Sequence, residues 1–370
     1  MNQIIYPAPI GFSSEAEIAG FDEDSVNRDL VKSLQTIVKK VNDDAGHASR
    51  GLHAKSHALL RAELTVHSDL APELAQGIFR APHRYDAIVR ISSIAGDILS
   101  DSISLPRGFA IKVFGVEGNR LAGSEGSVTQ DFLLADGVAF SAADTKSFLK
   151  ILQLLEKTTD KAQWAKSALS TVLRAVVRVE EKLGLPIGKA KALGGYPESN
   201  PVADRFGTQS AYRFGDYVAK LDIVPASENF LALQDKEFTV NGRENAVRDE
   251  IMGLLAKEGG AWTLRVQLRR DASENPVEDA SMPWPEESNP YLPVATLTVR
   301  PQTAWSLDRS HLVDDEMAFS PWQGIVAHQP LGIIGRARAY VYPILSGYRG
   351  VLNGCPIRER SQPPEFQSAQ

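Results

Sequence analysis

Strict alternation of apolar and polar side chains runs through residues 59–67, where Leu60, Ala62, Leu64 and Val66 face one way and Arg61, Glu63 and Thr65 the other. A period of two is the mark of a half-buried strand. The same pattern predicts strands over 109–114, 217–224, 262–269 and 294–299. Elsewhere the apolar positions fall at helical spacing. Val26, Leu30, Leu34, Ile37, Val38 and Val41 predict a helix over 24–41, and Phe148, Leu149, Ile151, Leu152 and Leu155 another over 143–156. A basic amphipathic helix is expected over 162–183 and a fourth from about Gly335 to Val351. Two stretches rich in turn formers, 184–213 and 272–293, separate these elements. Strand patterns continue on both sides of each, so neither reads as a linker between domains. The expected architecture is α+β: an antiparallel β-barrel core with surrounding helices. Along the chain this divides into an N-terminal helical arm over 1–47, a main domain over 48–354 and a C-terminal tail over 355–370.

Composition narrows the class of function. The chain has 370 residues, 43% of them hydrophobic, enough for a sizeable core. Its net charge is −6 and no run of lysine or arginine occurs, which argues against a nucleic-acid partner and for a small or organic ligand. No stretch approaches the roughly 20 apolar residues of a spanning helix, so integral membrane association is not expected. The single cysteine, Cys355, leaves no partner for an internal disulfide, and "MNQIIYPAPIGF" lacks the layout of a secretion signal. Both point to a cytoplasmic protein.

The candidate chemistry sits at two places. "RGLHAKSHALLRAELTV" (50–66) puts Arg50, His53, Lys55 and His57 at the mouth of the first alternating strand. His53 and His57 are four apart, but no adjacent carboxylates or cysteines complete a zinc set. Near the C-terminus, "LGIIGRARAYVYPILSGYRGVLNG" spaces Arg336 from Tyr340, and Arg338 from Tyr342, by one helical turn. A guanidinium beside a phenol favours phenolate, which makes tyrosine an anionic oxygen ligand for a metal. Spacing alone leaves both pairs open. The glycine-rich "FGVEGNRLAGSEG" (114–126) lacks the phosphate-loop patterns and reads as a hairpin turn. Neither G-x-S-x-G nor H-E-x-x-H occurs, so the common hydrolase readings lack support.

Five ordered stretches resemble the haem catalase superfamily, and specifically its shorter branch of catalase-related peroxidases and allene oxide synthase-like proteins. "RGLHAK" (50–55) is similar to the segment carrying the distal histidine, "VRISS" (89–93) to V-R-F-S-T, and "LPRGFAIKVFGVEGN" (105–119) to P-R-G-F-A-x-K-F-x-x-x-x-G-N. "AFSP" (318–321) is family-like, and "RAYVYPILSGYR" (338–349) matches R-x-x-x-Y-P with an arginine seven residues after the tyrosine. The resemblance spans about 48–145 and 200–354. It implies haem b with ferric iron as cofactor, His53 as distal histidine and Ser92 as the partner that orients its ring. It also implies Tyr342 as the iron ligand with Arg338 beside it, Arg50, Arg90 and Arg349 on the haem propionates, and Phe140 near the haem. Pro343 and Arg349 fall at the family spacing from Tyr342, not from Tyr340.

One departure bears on activity. Where catalases carry a distal asparagine, "GSVTQDFLLAD" (126–136) places Ser127, Val128 or Thr129, with Gln130 as the nearest amide. Leu52 also stands beside His53 in place of valine, and the chain ends soon after the proximal helix. The resemblance therefore implies a haem peroxidase with weak catalase activity, acting on hydrogen peroxide or an organic hydroperoxide with a small reductant. Its rivals are a fatty-acid hydroperoxide rearranging enzyme and a non-catalytic haem- or lipid-binding barrel. Related proteins also suggest a homo-oligomer.

Overall fold

The computed structural model describes residues 6–158 and 198–366. Its centre is a closed antiparallel barrel built from β1 (Ser56–Val66), β2 (Arg84–Ser93), β3 (Arg107–Phe114), β4 (Thr129–Asp136), β5 (Phe206–Gly207), β7 (Tyr217–Pro225), β8 (Gly260–Leu268) and β9 (Leu292–Val299). β6 (Tyr212–Phe214) forms a hairpin with β7 outside the ring. Closure comes from β5, which pairs with β4 at Ala135–Gly207 and with β7 at Phe206–Ile223. The expected α+β barrel is thus observed.

The five alternating segments all form strands; four of them begin two or three residues earlier than expected, and β7 begins at Tyr217 as expected. β2 and β4 carry no such alternation. Six successive residues of β2, Ala87–Ser92, are buried, because one face looks into the barrel and the other is covered from outside. Inside lie Phe79, Phe109, Phe132, Phe206 and Trp262, with Leu60, Leu64, Val89 and Ile111 between them. The glycine-rich turn joins β3 to β4 as the hairpin expected of it.

Helices cover one flank. α1 (Glu23–Ala45), α2 (Thr145–Thr158) and α4 (Gly332–Leu352) share a satellite core in which Val26, Leu30, Leu34 and Ile37 meet Leu152, Ala337 and Val341. Only packing of this apolar stripe holds such helices in place, since intrinsic propensity is worth tenths of a kcal/mol per residue. α3 (Ala246–Leu255), not foreseen from the pattern, caps the barrel with Val247, Ile251 and Leu255. The helix expected over 162–183 and the segment 184–197 lie outside the described residues. Among the described residues no helix is long and apolar enough to cross a membrane.

The segment after α4 does not leave the surface. Arg358 N–H donates to the Glu316 carbonyl at 3.0 Å, Glu359 pairs with Lys112 on β3 at 2.8 Å, and Phe366 packs on the cluster formed by Leu59, Ile88, Phe114 and Val313. Residues 355–366 therefore strap the outer face of the barrel.

Candidate functional site

Register brings the distal residues together. In the β1–β2–β3 ladder Ser92 lies between Ser56 and Gly108, so Ser92 and Arg90, two residues apart, share the outer face of the barrel. His53 precedes β1 in a turn, with φ of +57°, a left-handed conformation that costs energy for any side chain. That turn is held by the main-chain bonds His53 N to Ile94 O (2.9 Å) and Ala54 N to Ala95 O (2.9 Å). The geometry lays the imidazole over Gly108: a Cβ there would come within 2.6 Å of His53 Cε1 and Nδ1. Glycine at 108 is therefore a requirement of the ring's position. His53 Nδ1 lies 3.2 Å from Ser92 Oγ. Burial, together with Arg90, Arg338 and Arg50, pushes the His53 pKa down to about 3, so the ring is neutral at physiological pH. Part of the residue nevertheless stays accessible.

The influence of Arg338 on His53 brings the C-terminal helix into the same site. Of the two arginine–tyrosine pairs on α4, the first is spent. Arg336 binds Glu17 and Glu278 at 2.9 Å and Glu23 at 2.8 Å, and Tyr340 beside it is 40% exposed. Arg338 is differently placed. Its Nη1 is buried without a hydrogen-bond partner, and its guanidinium stands 5.7 Å from the Phe140 ring, which itself packs 5.0 Å from Phe148. Arg338 and Tyr342 also act on Tyr212, a fully buried tyrosine of β6 whose hydroxyl has no partner. Burial pushes the Tyr212 pKa up and Arg338 pulls it back. The sequence offered no signal for Tyr212, because β6 is too short to show a period.

The three arginines expected at one edge of the site do meet, and they meet around Asp314. Arg50 Nη1 donates to Asp314 Oδ1 at 3.1 Å and Arg90 Nε to the same oxygen at 2.7 Å. Arg349 donates to the main-chain carbonyls of Asp314, Asp315 and Met317. Ser56 (2.6 Å) and Ser310 (2.8 Å) donate to the second carboxylate oxygen, Oδ2. Burial alone would raise the Asp314 pKa; Arg90 and Arg50 outweigh it and hold the carboxyl below its usual range. Arg90 Nη2 also donates to the carbonyls of His53 (2.8 Å) and Ala54 (3.1 Å), tying the arginine cluster to the histidine turn. Sequence reasoning missed Asp314, which sits in a single π-helical turn, His311–Asp315, just before "AFSP" and too short to show a period.

The residues near the expected second donor are engaged elsewhere. Ser127 Oγ accepts from Gln323 Nε2 at 2.6 Å, Thr129 Oγ1 donates to Glu359 at 2.6 Å, and Gln130 Oε1 accepts from Ile325 N–H at 3.0 Å. A cavity of about 590 Å³ runs along α4 on the side of Pro343, Ser346 and Gly350, walled by Ala318 and Glu359. Neither His53, Arg338 nor Tyr342 lines it, so it is a neighbour of the imidazole–phenol region and not that region itself. Among the described residues no group of histidine, cysteine or carboxylate side chains forms a metal site of its own.

Three solved structures are similar over most of this chain. A fungal catalase matches with a TM-score of 0.59 at 17% identity, covering 96% of this chain and 69% of its own. Catalase A from Saccharomyces cerevisiae matches at 0.58 and 16%, covering 96% and 71%. A bacterial catalase matches at 0.56 and 15%, covering 90% and 65%. The fold is the catalase fold. No protein-family model matches the chain and no curated protein does. Within the catalase fold, the barrel's outer face and the C-terminal helix are the elements that bring His53 and Arg338 into one electrostatic neighbourhood.

Proposed function

We propose that this protein is a haem-dependent peroxidase with weak catalase activity. The observation that carries the reading is a part-buried, neutral histidine, beside a serine, that shares its surroundings with the arginine–tyrosine turn of a helix and with a cluster of three arginines. The donor set fits haem b. Tyr342 would hold the ferric iron through its phenol oxygen, with Arg338, whose Nη1 lacks a partner, as the cation beside it. Arg50, Arg90 and Arg349, bonded in this structure to Asp314 and to main-chain carbonyls, would turn part of that bonding to two propionates, since guanidinium forks match carboxylates. Phe140 supplies an apolar edge beside Arg338.

When bound, the haem supplies the redox centre at which a peroxide O–O bond is cleaved. This chain's own residues manage the protons. With Nδ1–H donating to Ser92 Oγ, the lone pair of His53 Nε2 is free to accept the proton from the inner oxygen of the peroxide. The same nitrogen then delivers it to the departing oxygen, which leaves as water or an alcohol. Disproportionation of hydrogen peroxide needs a second peroxide held in place for oxidation, which a second polar donor assists. Val128 cannot donate, and Ser127, Thr129 and Gln130 have other partners. That supports peroxidase over catalase activity.

The test is an absorption titration of the purified protein with haemin, followed by peroxide addition. Dye oxidation with little oxygen release is expected. Oxygen release at the rate of ordinary catalases would overturn the demotion of catalase activity. Turnover only with fatty-acid hydroperoxides, without dye oxidation, would favour a rearranging enzyme, and a Soret band without turnover a carrier.

A further inference from the structure

The cavity of about 590 Å³ beside α4 has the size of a small-molecule site, and no residue of the proton chemistry above lines it. One wall is the helix face of Pro343, Ser346, Gly347 and Gly350; the strap forms the other with Ile357 and Glu359. Gly350 is explained by the strap, since a Cβ there would come within 3.1 Å of the Cys355 carbonyl oxygen. Gly347 is not. A Cβ at 347 would meet nothing within 4 Å, although the position is inside a helix, where glycine is a poor choice. The bare backbone gives the cavity a flat floor. Its polar groups share one character. Glu359 Oε1 accepts from Lys112 (2.8 Å) and Thr129 (2.6 Å), and Gln323 spends its amide nitrogen on Ser127 (2.6 Å). Glu359 Oε2 and Gln323 Oε1 are thereby left as free acceptors among the described residues, facing a ligand that brings a donor. Glu359 is the one charged group in the wall, and Lys112 already matches it, so a neutral donor suits it better than a cation.

We propose that this cavity binds the organic reductant of the peroxidase, a small neutral phenol. The inference rests on the haem reading above and deepens it. The ring lies on the Gly347 backbone between Pro343 and Ile357, and its hydroxyl donates to Glu359 Oε2 or Gln323 Oε1. The Ser346 hydroxyl, which can donate or accept, is left for a ring substituent such as a methoxy oxygen. Pro343 directly follows Tyr342 and Ser346 stands one turn further on, so the occupant rests against the turn that carries the proposed iron ligand. His53 does not line the cavity, so peroxide and reductant do not compete for one space. Each phenol ArOH gives up one electron and its hydroxyl proton. Two of them with one hydroperoxide ROOH yield ROH, water and two phenoxyl radicals, the two protons ending in the water.

Saturation-transfer NMR on the full chain tests the binding directly, with guaiacol as the probe and veratrole, its methyl ether without the hydroxyl, as the control. Guaiacol should bind with millimolar affinity, and veratrole about fivefold more weakly for want of its donor. Gly347→Trp fills the cavity from a position with open space above it. It should weaken guaiacol binding about tenfold or more and, in haemin-loaded protein, raise the KM for guaiacol by a similar factor. Gly347→Leu, with a side chain that favours the helix, repeats the test if the tryptophan variant does not fold. No guaiacol binding by the wild type, equal binding of guaiacol and veratrole, or undiminished binding by the folded Gly347 variant overturns the proposal. A chain that binds guaiacol in this cavity yet takes up no haemin fails differently: the phenol site stands, and the haem reading falls.

Discussion

Acidification from pH 6.5 to 5.5 should destabilise this fold by an amount that can be worked out from its buried groups. His53 and His328 have pKa values pushed down to about 3, the latter by burial alone, and burial with Lys55 nearby lowers that of His57 well below 6.5. Each is neutral when folded and titrates near pH 6.5 when unfolded, so together they bind about 2.3 more protons in the unfolded state near pH 6. Asp131 opposes them. Burial raises its pKa to about 7 against the pull of Lys112, so it holds a proton when folded and releases it on unfolding. Asp204 and Asp222, also raised by burial, add to that opposition towards the acid end. An unfolded imidazole is about three-quarters protonated near pH 6, so the net is about 1.4 protons taken up on unfolding. Because the unfolded state binds more, stability is greatest above pH 6.5 and falls as pH drops, by about 1.9 kcal/mol per unit. Against a total of about 5–15 kcal/mol, that is a large share. Urea unfolding at pH 7.5, 6.5 and 5.5 measures it. His328→Gln isolates one group: His328 Nε2 accepts from Ile78 N–H at 3.0 Å amid Phe79, Phe132 and Phe214, a bond glutamine can replace without titrating. The variant's slope should drop to about 0.9 kcal/mol per unit. Stability that is flat or rising on acidification, or a variant with the wild-type slope, would refute the reasoning.

Three further outcomes follow from the site. Gly108→Ala should push the His53 ring back by about 0.8 Å, from a 2.6 Å clash to ordinary contact. Such a shift costs peroxide turnover about 100-fold while haemin affinity stays within a few-fold, as paired kinetic and titration measurements would register. Tyr342→Phe should abolish the high-spin ferric tyrosinate spectrum and most haem retention, whereas Tyr340→Phe, at an exposed position, should keep both; the reverse result moves the ligand one face along the helix. Arg338→Leu should make the tyrosinate spectrum sensitive to mild acid, and a spectrum unchanged down to pH 4 would count against its role.

Legibility in the sequence tracked the polarity of a strand's outer face. β1, β3, β7, β8 and β9 could be read from alternation because their outer positions are polar or partly open, Lys112, Lys220 and Asp222 among them, and α1 because its apolar stripe lies on one side of the helix. β2 and β4 could not, because Ile88 and Leu133 on their outer faces join the apolar cluster that includes Val313 and Met317. The site divides in the same way. His53, Ser92 and Arg338 stood in recognisable stretches, and the structure brings them into one region. Asp314 and Tyr212 stayed hidden because their importance is purely tertiary: each matters through partners far away in the chain. The choice between Arg336 and Arg338 likewise could not come from spacing, since three glutamates from two distant segments decide it.

The strap after α4 also bears on how the molecule is made. Lys112 and Glu359 meet across 247 residues, and β1 has to wait for β9 before the ring can close. Contacts of such long range form late and slowly, because the loop entropy is lost before the contact repays it. On a ribosome, the first four strands emerge with β1 and β4 as open edges and with the Lys112–Asp131 pair facing outward, uncovered by Glu359. Those edges are a template for pairing with a second nascent chain. These edges therefore stay open to aggregation until β5 and β9 pair with them, and a chain truncated before Glu359 would leave the Lys112–Asp131 pair uncovered.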